Sequence, residues 1–376
     1  MESTITNIDC AVVRMPLAEP VALATRRVVS RDWLVTIVTT RDGNKGLGFT
    51  YAGYEAGEVI GSVLEKLVAP FYLGKDSDRP DILHDTTLRQ LGIQNGGLVA
   101  RAVSALDIAL WDRNAVAADL PLYKFIGGSK TSLDTYVGGG YYKENDSDFE
   151  QLKSELQRYL DTGYSAVKIK VGKFDPKTEG RRARICREVL GSNIDLVIDA
   201  NGKFESIEAF GHYVSEYSSI DPIFFEDPFP SHMLSLYETL GPQTPIPLST
   251  GELLSSVDDF ERLAKSKTVS ILQVDSTTCG GVTAFKRIAK IASQYGISLE
   301  THWFPEFHAH LAMSEETVKR IEVFHDQEII NFSSLLKKRV VSNMSSGLVS
   351  ECPGIGLVLD NDVVEKHCIF SVQLAY

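Results

Sequence analysis

The residues of this chain that could do chemistry recur at regular intervals. Asp199, Glu226, Glu252, Asp275 and His302 each close a short apolar run, and they are spaced by 27, 26, 23 and 27 residues. Each interval is about the length of one strand-plus-helix unit, so the five side chains are expected at one height on successive strands. Asp199, Glu226 and Glu252 form an all-oxygen set. Hard cations such as Mg²⁺ take such ligands while keeping positions open for water or substrate. One strand-end carboxylate is more often a capping or salt-bridged group; three at the same strand position point to a metal.

Lys168 and Lys170 lie two apart in SAVKIKVG, so they share one face of a strand. Val167, Ile169 and Val171 make the opposite face, which can pack on outer helices and leave the lysines facing the barrel axis. Two inward ammonium groups repel, and that repulsion is expected to depress a pKa toward the range of a useful base. Asp275 and His302 end adjacent strands. Such a pair orients the imidazole, fixes its tautomer and raises its basicity. His308 and His310 follow in FHAHLAM, which reads as a helix start, and are expected to be structural. These groups suit removal of a weakly acidic proton beside a carboxylate. The resulting dianionic enediolate needs a divalent cation to stabilise it. Acid/bases on two faces then permit racemisation, epimerisation or β-elimination.

The elements that must position these groups are legible in the pattern. Residues 1–50 read as strands, with Asp42-Gly43 as a turn, and 55–127 turn helical until Gly127-Gly128. Strands followed by helices suggest a self-contained α+β unit. After residue 130, eight strand candidates alternate with helices: LDTYVGG, SAVKIKVG, DLVIDANG, PIFFEDPF, PIPLSTGE, SILQVDS, ISLETHW and KRIEVF. The pattern predicts an α/β fold, a (β/α)₈ TIM-type barrel, with a doubly wound open sheet as the alternative. The tail from about 346 contains Pro353-Gly354-Ile355-Gly356, then short strand-like pieces, and reads as an extension that leaves the barrel.

Composition narrows the class. A net charge of −12 argues against nucleic-acid binding, which needs basic patches, but not against an anionic small substrate beside a bound cation. No apolar stretch approaches the roughly 18 residues of a membrane helix. The N-terminus has no basic start and no uninterrupted apolar run, so no signal peptide and no membrane association are expected, and the location is read as cytoplasmic. The five scattered cysteines form no CxxC pair and are read as reduced thiols.

KIK, DANG, FFEDPF, STGE, QVDSTTCGG and THWFPEFHAHL, in that order, resemble the mandelate racemase subgroup of the enolase superfamily. ALDIALWDRNAVAADLPLYKFIGG resembles that family's helix leading into its barrel, and PGIGL its return to the capping domain. The resemblance implies an α+β capping domain over 1–128, a catalytic barrel over 129–345, and a segment 346–376 that returns to complete the cap. It implies Mg²⁺ on Asp199, Glu226 and Glu252, with Asn201 supporting the metal end. Lys170 would be the base on one face, with Lys168 lowering its pKa and contacting the substrate carboxylate. His302, paired with Asp275, would be the acid/base on the other face. Glu322, or else Glu328, would match the acidic group that hydrogen-bonds the substrate carboxylate, although RIEVFHD departs from the racemase pattern. Cap loops at about 15–30, with Arg26 and Arg27, and about 50–55, with Tyr51 and Tyr54, would select the substrate. The arginines would pair with a distal carboxylate or sugar hydroxyls, or else form a solvated turn. The partner would be a small carboxylate, and the protein a homo-oligomer. The leading activity is dehydration of a sugar acid to a 2-keto-3-deoxy acid; the alternative is a racemase, epimerase or cyclic amino-acid dehydratase. A barrel without activity, used as a scaffold, would show a broken set of residues, and this set is complete.

Overall fold

The computed structural model describes every residue except 54, 92–95, 145, 147, 241–242, 327–328 and 339–348. Eight parallel strands close into a barrel: β4 (Asp134–Gly139), β5 (Ala166–Lys170), β6 (Asp195–Asp199), β7 (Phe224–Glu226), β8 (Leu248–Thr250), β9 (Ile271–Val274), β10 (Ser298–Thr301) and β11 (Val318–Val323). Each lies within one of the eight predicted runs, and β11 pairs with β4 to shut the ring. The strands are short because both faces are covered. Outward side chains such as Val167, Ile169 and Ile198 join one apolar core with the helices, while the inward positions are free to be polar.

Ahead of the barrel, β1 (Ile5–Ala22), β2 (Arg27–Thr40) and β3 (Lys45–Gly53) form an antiparallel sheet, with Gly43 at φ 83° in the β2–β3 turn. The last strand, β12 (Cys368–Ala375), pairs antiparallel with β1, giving the order β12-β1-β2-β3. The C-terminal segment thus returns to complete the N-terminal sheet. Between β12 and the barrel, Asn361–His367 is a helix where the sequence reads as strand-like. Asp360 explains the difference: its carboxylate accepts from the Asp362 and Val363 amides and caps the first turn.

The helix Gly97–Ala117 locks sheet to barrel. It lies so close on β3 that a Cβ at Gly46 or Gly48 would fall 2.0 and 1.8 Å from the carbonyls of Ala109 and Ala105. Its polar side chains face the other parts of the fold. Asp107 accepts from the Thr283 hydroxyl (2.5 Å) and amide (2.9 Å) of the barrel. Asp112 accepts from the Leu47 amide (2.7 Å) and from that of Ile355 (2.6 Å) in the PGIG return. A second tie is aromatic: Trp33 and Phe49 of the sheet pack on Phe304 and Phe332, and Trp33 Nε1 donates to Asn331 Oδ1 at 3.0 Å. All five cysteines are free. Among the described residues no helix is long and apolar enough to cross a membrane.

His310, on the helix Pro305–Ser314, is structural as expected. Nδ1 accepts from the Tyr123 amide and Nε2 donates to the Ile355 carbonyl, both at 3.2 Å, so a neutral ring joins three segments. Burial pushes its pKa from 6.5 down to about 4. The unfolded chain therefore takes up this proton first, and the stability that the neutral ring contributes is full above pH 6.5 and lost as pH falls toward 4. Chemical denaturation of the protein and of His310→Gln at pH 7 and pH 5 is expected to show the wild-type advantage shrinking by about 2 kcal/mol at the lower pH. An unchanged advantage would show that His310 does not titrate in this range.

Candidate active site

Strand register brings the predicted groups to one level. Lys170 pairs with Asp199 across β5 and β6, and Asp199 with Glu226 across β6 and β7. Glu252 follows β8, Asp275 follows β9 and His302 follows β10, while Glu322 sits inside β11. All seven, with Lys168, are buried at the C-terminal end of the barrel under the N-terminal sheet. Asp199, Glu226 and Glu252 offer carboxylate oxygens that lie within 4.8 Å of one another.

The lysines take different partners in this cluster. Lys168 Nζ donates to Glu226 Oε1 (2.8 Å) and Oε2 (3.0 Å) and lies 2.8 Å from Glu322 Oε1. Lys170 Nζ donates to Asp199 Oδ2 at 2.5 Å and sits over the Tyr141 ring at 5.5 Å. The expected depression of the lysine pKa values is not what this charge arrangement produces. Burial lowers both, but Glu226 and Glu322 outweigh it at Lys168, and Asp199 does so at Lys170, so both are raised. Repulsion between the two ammoniums is present and is the smaller effect.

The carboxylates split the other way. Burial would raise Asp199, but Lys170 and Lys168 hold it below the usual carboxylate range. Glu226 is pushed well above that range by burial, with Asp199 and Glu252 adding to it against Lys168. Three carboxylates this close cannot all stay ionised on the lysines alone. Glu252 Oε2 is buried and lies 3.3 Å from His302 Nε2 without hydrogen-bond geometry, so it has no donor among the described residues. An orphaned oxygen facing two further carboxylates fits a hard divalent cation. Asn201 supports this end: its amide and side chain donate to Asp199 at 2.8 and 3.3 Å.

Opposite stands the imidazole. His302 Nδ1 is 2.9 Å from Asp275 Oδ2, and Asp275 Oδ1 is held by the Thr277 amide and hydroxyl. Burial lowers the His302 pKa, but Glu252 and the Asp275 hydrogen bond outweigh it and raise it overall. His308 is structural as expected: Nδ1 donates to the Trp303 carbonyl (2.8 Å) and Nε2 accepts from the Ser276 amide (3.1 Å). Glu322 accepts from the Trp303 amide at 3.2 Å as well as facing Lys168. Despite burial, Lys168, His302 and Lys170 hold Glu322 below the usual range, so it has no proton to give a substrate carboxylate in this arrangement.

The cap residues behave differently. Arg26 is exposed in the β1–β2 turn, with Nη1 3.5 Å from Thr25 Oγ1, and the fold does not bring it into the cluster. Tyr54 and Glu328 lie outside the described residues. Tyr51 reaches the site, 4.9 Å from the Trp303 ring, which stacks on His302 at 4.6 Å. Arg31, Arg101, Tyr141 and Trp303 line the same region and escaped sequence reasoning. Trp303 adjoins His302 in THWFPEF, which was a usable signal; the other three carry none locally.

Comparison with known proteins places this geometry. Residues 5–127 match the N-terminal domain of the mandelate racemase/muconate lactonizing enzyme family, and residues 151–363 match the enolase C-terminal domain-like family. The chain belongs to the mandelate racemase/muconate lactonizing enzyme family of the enolase superfamily. It is 25% identical to an arabinonate dehydratase of Saccharolobus solfataricus, over 89% of this chain and 90% of that one. It is 29% identical to an L-talarate/galactarate dehydratase of Salmonella typhimurium, over 79% and 76%. An L-talarate dehydratase from Polaromonas sp. JS666, solved with Mg and L-glucarate, superimposes with a TM-score of 0.88 at 26% identity, over 99% of each chain.

Removing one charge from the carboxylate set tests its fit to a cation. Glu252→Gln is expected to weaken Mg²⁺ binding on the order of 100-fold in a calorimetric titration, since ligand charge sets affinity in oxygen sites. An unchanged Kd would place the ion elsewhere.

Proposed function

We propose that the protein is a Mg²⁺-dependent sugar-acid dehydratase, which removes the proton α to the substrate carboxylate and expels the 3-hydroxyl to give a 2-keto-3-deoxy acid. One observation carries this reading. Lys170 on β5 and the His302–Asp275 pair at the ends of β10 and β9 flank the carboxylate cluster from two sides of the barrel mouth. The dehydratases among the relatives support the same class.

Bound at Asp199, Glu226 and Glu252, Mg²⁺ would supply positive charge to the enediolate that forms when the α-proton leaves. Lys168 would hold the substrate carboxylate, with Glu322 fixing the ammonium's direction. Lys170 is placed to take the C2 proton on one face once its ammonium has given up its own proton. His302, kept basic by Asp275, is placed to move a proton on the other face. As the imidazolium it would protonate the departing 3-hydroxyl, and the enol left behind would tautomerise to the keto acid. Which group starts follows from the configuration at C2. The same pair also supports epimerisation, in which the second group returns a proton to C2; solvent deuterium at C2 without keto acid would mark that course.

Incubation with Mg²⁺ and a library of sugar acids, read by a colour test for 2-keto acids, tests the proposal. Turnover of one or a few acids is expected, abolished by chelation and lowered about 10²–10⁴-fold in both Lys170→Ala and His302→Asn. Asp275→Asn, which keeps the shape but not the charge behind the imidazole, is expected to reduce kcat by at least about 10²-fold. Keto-acid formation that persists in Lys170→Ala and His302→Asn would refute these roles.

A further inference from the structure

Arg31 is a buried cation with no carboxylate of its own. It lies on β2, only 3% exposed, and Nε donates to the Ile329 carbonyl at 3.1 Å. No carboxylate among the described residues pairs with its Nη groups; the groups acting on it are the phenols of Tyr141 and Tyr51, and Arg26. A guanidinium stays charged even where burial opposes it. A buried charge without a counter-ion is costly, and such a site gains most from binding an anion.

Its position relative to the reacting groups is defined. The Arg31 guanidinium sits 4.6 Å from the Trp303 ring, and Trp303 stacks on His302 with centroids 4.6 Å apart. The guanidinium is therefore within about 9 Å of the imidazole. On the other side its neighbour Tyr141 carries the Lys170 ammonium over its ring at 5.5 Å. Arg31 thus stands on the cap side, between the two acid/bases. A second guanidinium adjoins it across Tyr51: Arg101 Nη1 donates to the Tyr51 carbonyl at 2.6 Å, and Arg101 makes no ion pair among the described residues.

We propose that Arg31, assisted by Arg101, binds a second carboxylate at the far end of the substrate, so that the preferred substrates are aldaric acids of five or six carbons rather than aldonic acids. This deepens the dehydratase reading and rests on it. The dimensions agree. With C2 held between Lys170 and His302, the terminal carbon of a six-carbon chain lies roughly 5 Å further along, from C–C bonds of about 1.5 Å. That reaches the space in front of Arg31. A planar guanidinium meets a carboxylate through two parallel N–H bonds, which a terminal CH₂OH cannot replace. The exposed Arg26, for which the sequence suggested this role, is five residues away on the turn that leads into β2.

The test compares the Mg²⁺-loaded protein on stereochemically matched pairs of hexarates and hexonates. The expected result is a kcat/KM at least about 100-fold higher for one hexarate than for its hexonate, because a site built for a charged group rejects the analogue lacking it. In Arg31→Gln that ratio is expected to fall to within about tenfold. A residue that only supported the fold would lower both rates together and leave the ratio intact, which overturns the assignment. Equal or better turnover of hexonates by the wild-type protein overturns this inference alone and needs no variant to fold. Silence toward every sugar acid overturns the dehydratase reading and this inference with it.

Discussion

Everything at the barrel mouth follows from three buried carboxylates brought within 4.8 Å of one another. At such distances two like charges repel by about 4 kcal/mol at an effective dielectric of 20, so the arrangement is tenable only with positive charge close by. The chain supplies two ammoniums from one strand, each paired to a different carboxylate. Where a lysine is nearest, at Asp199, the acid is strengthened; at Glu226, burial and its acidic neighbours win instead. The remaining orphaned oxygen on Glu252 marks where a cation completes the balance. The same charge would serve a substrate whose own negative charge grows during reaction.

Holding like charges together requires a frame that does not yield. The hydrogen-bonded ring of eight short strands fixes the carboxylates at strand ends, and the outward apolar side chains lock that ring to its helices. The cap is held with comparable firmness through Asp107, Asp112 and the Trp33–Asn331 contact. Cap and chemistry then meet at a stack of rings: His302 on Trp303, and Trp303 beside Tyr51 and under Arg31. The part that recognises a substrate and the part that moves its proton are thereby in van der Waals contact.

The barrel was legible because each strand-helix unit repeats a local signal, and the carboxylates because their spacing matches that unit. The facing of Lys168 and Lys170 followed from the two-residue period of a strand. Their pKa direction did not, because it is set by Glu226, Glu322 and Asp199 on other strands, and only the assembled barrel gives those distances. The helix at 361–367 was missed because Val363 and Val364 suggested a strand, while Asp360 as a cap decided the matter. Arg31 was invisible for the same reason as the lysine shift. Beside Ser30 and Asp32 it reads as a solvent-facing strand residue, and its burial comes from Trp303 and Ile329, far along the chain.

The measurement that bears most directly on this account is anomalous diffraction from crystals of the protein grown with Mn²⁺ in place of Mg²⁺. The account predicts one strong Mn²⁺ peak within bonding distance of oxygens from Asp199, Glu226 and Glu252, with Lys170 and His302 on either side of it. A peak at other residues, or none at these three when the ion is saturating, would contradict the view that the carboxylate cluster exists to hold a cation and that the chemistry is organised around it.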